Sequence, residues 1–202
     1  MLDAALIKEC AEPSLKPAIV EQFVNAVGSP DPLAITVKSG GRLLLVPKAR
    51  SANEAVEIIR QNVGHAVVRV GLTQFPAGVG ASDASELKPD LVEPCANLRM
   101  GTAMFAKILR IVTKWYGNPK SEEVFPQIFD DAVYAWKTGE FEGESVFQAE
   151  DPGGPVAEQP NSAVERDAST PADQPVEPAA SAQPNVHDAG IRIDLSRIGG
   201  QH

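Results

Sequence analysis

Cysteine occurs only twice in the 202-residue chain, at Cys10 and Cys95, and histidine only three times. Two thiols cannot build a disulfide scaffold, and their spacing matches no zinc-ligand pattern, so no metal and no cofactor is expected. Aromatic residues make up only 5% of the chain, and none follows Phe147. A basic surplus is also missing, because 18 Lys and Arg face 27 Asp and Glu for a net charge of −9. Binding to nucleic-acid phosphates requires clustered Lys and Arg, so this balance argues against a general affinity for nucleic acid. No apolar run approaches the roughly 18–20 residues that span a bilayer, so no transmembrane segment is expected. The N-terminus, MLDAALIKECAEPSLKP, has neither a basic n-region nor a continuous apolar h-region. That predicts a cytoplasmic protein, or a periplasmic one only by a non-standard export route.

What is present divides the chain in two. Residues 148–202 hold nine Asp and Glu, three Arg and no Lys, a charge of −6 that leaves −3 for the body. A Pro/Ala-rich acidic stretch without aromatics cannot bury enough apolar surface to offset its ordering entropy. The boundaries predicted are a folded domain over 1–147, a disordered linker over 148–186 and a terminal segment over 187–202. In that last segment Ile191, Ile193 and Leu195 alternate. Two readings stand: chance isoleucines in an unstructured end, or a short docking peptide that adds to a partner's sheet edge or groove.

Within the body the apolar periodicity predicts a short helix over 2–9. A second helix, capped by Ser14, runs to Val27 with Ile19, Phe23 and Val27 on one face. Ser-Gly-Gly between two apolar runs predicts a hairpin over 33–47. A helix capped by Ser51 or Asn53 follows, then a third strand in AVVRVGLTQF. A long amphipathic helix begins near Cys95 and ends at Gly117. A last helix runs from a Ser121 cap to Gly139, with Pro126 shifting its start. The order predicts an α+β, mostly helical domain with a small three-stranded sheet. It is not an alternating βαβ pattern, and Gly78–Gly80 lacks both the Lys-Ser/Thr of a P-loop and the dinucleotide glycine spacing. His65 has no Ser or Asp partner in sequence reach and reads as a loop residue.

Four segments in order carry a resemblance. CAEPSLKPAIVEQF, the stretch from DPLAI to GLTQF, EPCANLRMGTAMF and VYAWKTGEFEG together resemble the lytic transglycosylase domains of VirB-type secretion and conjugation systems. The body as a whole resembles the TraH group of small conjugal transfer proteins from Agrobacterium and Rhizobium plasmids. The resemblance implies a lysozyme-like fold, a role in plasmid conjugation, and partners in the type IV secretion or mating-pair apparatus, with peptidoglycan strands as a further partner. In that family a glutamic acid at the end of the first long helix protonates the glycosidic oxygen, which requires a pKa raised by burial.

That acid is missing from its place. In one register it falls on Phe23, in the other on Val27, followed by Gly28. Glu21 is the nearest carboxylate, but two helical positions rotate it about 200° away from the face of Phe23, leaving it a weak catalytic candidate. Asp31 is a second, weaker one. The Gly-Leu-Met-Gln-Ile signature of the family reads Gly71-Leu72-Thr73-Gln74-Phe75. The residues carried over as groove-lining are Gly71, Gln74, Asn97 and Trp136. Gln74 reads either as a ligand for an N-acetyl amide or as a corner amide satisfying local backbone, and Trp136 either as a sugar-stacking ring or as core. Cys10 and Cys95 match positions that the family often fills with cysteine, which implies a disulfide in an oxidising compartment and packed thiols in a reducing one. The function expected is a catalytically degenerate binding or scaffold component, with an active lytic transglycosylase as the alternative.

Overall fold

The structure, a computed structural model, describes residues 2–156. The expected linker beyond residue 156 and the terminal segment 187–202 lie outside the described residues. Helix α1 spans Ala4–Cys10, capped by Asp3, whose side chain accepts from the Ala5 N–H. Helix α2 spans Pro17–Val27 and begins on Lys16, without a side-chain cap. Ser14, expected as that cap, instead donates to Glu12 at 3.0 Å. Pro17 in the first turn, where its missing N–H has no intrahelical role, starts the helix in its place. Helix α2 buries Ile19, Val20, Phe23 and Val24, the i, i+3, i+4 pattern of one apolar face.

Strands β1 (Ile35–Ser39) and β2 (Arg42–Leu44) pair antiparallel through Ser39 and Arg42. The two residues between them, Gly40 and Gly41, have φ of 55° and 78°, the left-handed pair that a type I′ hairpin turn needs. Helix α3 (Ala52–Asn62) is capped by Ser51, which accepts from the Glu54 N–H, while Glu54 accepts in return from the Arg50 N–H at 2.9 Å. Strand β3 (Val67–Val70) pairs with β1, and a further strand, β4 (Phe75–Pro76), folds back on β3. The sheet therefore has four strands in the order β2-β1-β3-β4 rather than the three expected. AVVRVGLTQF is not one strand, because the backbone turns left-handed at Gly71 (φ 73°) and Gln74 (φ 51°).

Helix α4 (Pro94–Trp115) is the axis of the domain and buries Leu98, Phe105, Ile108, Leu109 and Val112. Its 22 residues extend about 33 Å. Ser121 caps a 3-10 turn over Glu122–Val124 rather than the last helix, and α5 (Phe125–Thr138) starts with Pro126 in its first turn. Gly139, with φ 85°, ends it. A separate hairpin of β5 (Glu140–Phe141) and β6 (Glu144–Ser145) follows.

The folded unit continues past the expected boundary at 147. Lys107 Nζ donates to the carbonyls of Phe147 and Ala149 at 3.0 and 2.9 Å. Arg110 makes a two-pronged contact with Asp151, its Nε donating at 2.8 Å, and Val156 is buried. Residues 148–156 thus form a strap along α4. The Asp151 carboxyl is held below the usual range, first by the Arg110 guanidinium. The described residues form an α+β domain, rich in helix, with a small antiparallel sheet.

Candidate functional site

The corner between β3 and β4 joins the sheet to α4. Asn97, in the first turns of α4, is fully buried and uses both ends of its amide. Its Nδ2 donates to the carbonyls of Val70 (3.1 Å) and Leu91 (2.7 Å). Its Oδ1 accepts from the Thr73 N–H and the Thr73 hydroxyl, each at 3.0 Å. Thr73 is also fully buried. Two glycines make room for this contact. A Cβ on Gly71 would lie 2.3 Å from Asn97 Nδ2, and one on Gly101 would lie 2.3 Å from Thr73 Oγ1. Backbone, amide and hydroxyl therefore form a latch with all its polar groups paired, which is what burial demands.

The loop after α2 docks on the same corner. The Ser29 N–H donates to the Leu72 carbonyl at 3.0 Å, and a Cβ on Gly28 would stand 2.3 Å from that oxygen. A cleft of about 480 Å³ opens here, lined by Leu6, Val24, Asn25, Leu72 and Pro94, with Asp3 at its edge. The Asp3 carboxylate is the α1 cap. Gln74 is half-buried, and its Nε2 donates to the Gly71 carbonyl at 3.1 Å, closing the corner on itself.

Behind the corner lies an aromatic core. Phe23 is fully buried and stacks on Phe105 with centroids 4.0 Å apart, and Trp136 meets it edge-on at 4.9 Å. Phe23, one of the two positions at which the resemblance would put an acid, thus lies in the middle of the core. Val27 and Gly28, the other register, border the docking loop. Glu21 lies on the exposed face of α2. Trp136 is fully buried among Phe23, Phe105, Phe75 and Phe147. Asn97, Gly71 and Gln74 are thus brought together, whereas Trp136 lies in the core and Glu21 on the outside.

Sequence reasoning passed over Arg69. It is half-buried, with no carboxylate partner among the described residues. One guanidinium nitrogen donates to the Trp136 and Lys137 carbonyls at 2.6 and 3.1 Å, the other to the Gln74 carbonyl at 3.3 Å. It sits 5.9 Å from the Trp136 ring centroid and 5.6 Å from that of Phe147. Burial pulls its pKa down to about 10, so it remains charged at neutral pH. The charge satisfies carbonyls at the C-terminal end of α5, where the helix dipole favours a cation. An arginine amid the apolar run Val67–Val70 was the signal available in the sequence.

Cys10 and Cys95 form a disulfide across 85 residues, with Cα atoms 5.1 Å apart. It ties the end of α1 to the first turn of α4, two residues before Asn97. Among the described residues no group of three or more His, Cys, Asp or Glu is placed to hold a metal ion. No described helix is long and apolar enough to cross a membrane.

These features define a disulfide-tied, helix-rich α+β domain whose most polar buried feature, the corner latch, is closed by its own side chains. The chain belongs to the TraH_2 family, whose model matches residues 1–200. It is 67% identical over 205 residues to the uncharacterized protein y4dP of Sinorhizobium fredii, covering 99% of this chain and all of that protein. No solved structure gives a significant match.

Proposed function

We propose that this protein is a conjugal transfer component of TraH type that works by binding other parts of the transfer apparatus, its domain being a transglycosylase-like scaffold that has lost its acid. The family match over residues 1–200 carries the first half of this reading. The second half is supported by Phe23 and Val27, which stand where a catalytic glutamic acid would have to be. A general acid also needs a raised pKa. Asp31, Asp83 and Asp151 are each held low, first by a hydrogen bond, the opposite of what that role requires. The disulfide supports an oxidising compartment, and we place the domain in the periplasm on that ground.

The test has two arms. Deleting the gene from a donor lowers plasmid transfer frequency, and complementation with Glu21→Gln restores it in full. The purified full chain, incubated with peptidoglycan sacculi, releases no anhydro-muropeptides. Undiminished transfer without the gene would overturn the transfer reading. Release of anhydro-muropeptides that Glu21→Gln abolishes would establish the enzyme instead.

A further inference from the structure

At the end of the sheet opposite the latch, β2 has a neighbour on one side only. All three of its residues are exposed. Leu43 is 61% exposed and Leu44 43%, and Leu45, just after the strand, is 97% exposed. Val67 on β3 adds to the same surface at 57%, because Lys38 lies directly opposite both Leu43 and Val67 in the ladder. Edge strands in soluble proteins are normally blunted by charge, proline or cover. This one presents three leucines in a row.

Its charge is equally unusual. Between Asp31 and Glu54 the chain has no acid and four bases, Lys38, Arg42, Lys48 and Arg50, in a protein of net charge −9. The turn pairs Ser39 with Arg42. Alternation along an antiparallel ladder then turns the N–H and C=O of Leu43 outward, away from β1.

We propose that β2 is a docking edge for an extended strand of a partner protein whose side chains alternate between apolar and acidic. The incoming strand pairs its backbone with Leu43, lays its apolar side chains beside Leu43 and Leu45, and sets its carboxylates on the other face, against Arg42. This is strand addition, in which backbone bonds give affinity and alternate side chains give specificity. Two other occupants fit less well. A second copy joined edge to edge would bring Arg42 and its basic neighbours against their own equivalents. An anionic bilayer would match the leucines and the charge but leave the outward backbone groups of β2 without partners in an apolar medium. The inference rests on this edge alone and stands whether or not the protein serves plasmid transfer.

The probe is a blocked heptapeptide alternating glutamate and valine, titrated at monomeric concentrations into the full-length, isotope-labelled protein. The expected result is saturable binding that shifts the amide resonances of residues 42–45. Arg42→Glu weakens it about tenfold through the lost charge pairing. Leu43→Pro, tolerable at an edge, weakens it at least about fivefold by removing an outward donor. Leu45→Ser, at a side chain too exposed to matter for folding, also weakens it, so the proposal remains testable if Leu43→Pro misfolds. Equal binding of a lysine–valine peptide would overturn the proposal, as would the absence of any shift at residues 42–45. So would dimerisation that Leu43→Pro abolishes, or binding to phosphatidylglycerol vesicles with no response to the peptide.

Discussion

The two ends of the four-stranded sheet are built on opposite rules. At the β3–β4 end, polar side chains are buried and paired: Asn97 and Thr73 hold the corner to α4, and Arg69 holds it to the end of α5. At the β2 end, apolar side chains are exposed and basic ones surround them. The chemical type of a residue therefore misleads about its role here. Gln74 and Asn97, amides of the kind that bind sugars, engage the protein's own backbone. Leu43, Leu44 and Leu45, of the kind that fill cores, face solvent. Satisfied polar groups in a buried site specify structure, and unsatisfied apolar surface marks association.

If the latched end is structural, breaking it costs stability. The largest effect expected is from the disulfide. Closing an 85-residue separation contributes about 4–5 kcal/mol on the chain-entropy model. Reduction, or the double change Cys10→Ala with Cys95→Ala, lowers the denaturant midpoint accordingly. A shift below about 1 kcal/mol would show that the α1–α4 packing suffices without the bridge.

Next comes Asn97→Ala. It strands the Val70 and Leu91 carbonyls and the Thr73 N–H in a buried site. At about 1–3 kcal/mol for each unsatisfied group, tempered by water entering the gap, the loss is about 3–4 kcal/mol. Asn97→Asp is no rescue, because a carboxylate keeps the acceptor and loses both donors. Urea unfolding measures both variants. A near-neutral Asn97→Ala would break the comparison, since the amide would then be free for a ligand.

How far the sequence foretold this contrast depended on whether a feature was local. Helix positions followed from apolar spacing, and the β1–β2 turn from Gly40-Gly41, because both are set by neighbours in the chain. The strap over 148–156 was missed, since a Pro/Gly-rich acidic stretch carries no hint of the Lys107 and Arg110 that hold it. The pairing of Asn97 with Thr73 spans 24 residues, and nothing in either segment announces it. The resemblance named Gly71, Gln74 and Asn97 as groove-lining; it carried no sign that the two amides bond the chain's own carbonyls at Gly71 and Val70. The exposure of Leu43–Leu45 was hidden for the opposite reason: an apolar run between turn residues reads as buried strand, and only the strand order puts it at the edge.

A smaller effect probes the loop between the two ends. Asp31 accepts from the Leu33 N–H at 3.0 Å and pairs with Lys48 at 3.2 Å. Its carboxyl is held below 3.8, first by the Leu33 bond and then by Lys48. Because the folded state lowers this pKa, its contribution is complete above pH 3.8 and is lost as pH falls through the folded value. Asp31→Asn removes the charge and keeps an acceptor. The cost at pH 7 is below about 1 kcal/mol, as for other exposed pairs. The stability difference between wild type and variant closes on titration from pH 5 to pH 2. A difference that persisted at pH 2 would assign the effect to the Leu33 bond rather than to charge.

The smallest effect expected on folding is the sharpest test of the comparison. Leu45 is 97% exposed, so replacing it with serine removes almost no buried apolar area, and stability should change by no more than about 0.5 kcal/mol. The same substitution removes apolar surface from the only edge among the described strands that carries three exposed leucines in sequence. Plasmid transfer by donors carrying Leu45→Ser should therefore fall while the purified variant unfolds at the wild-type urea concentration. Asn97→Ala should show the reverse ordering, with transfer lost only in proportion to the folded protein that remains. If Leu45→Ser instead unfolded the protein, the leucine would have to be covered in the native state, and β2 would be part of the core rather than a surface for partners.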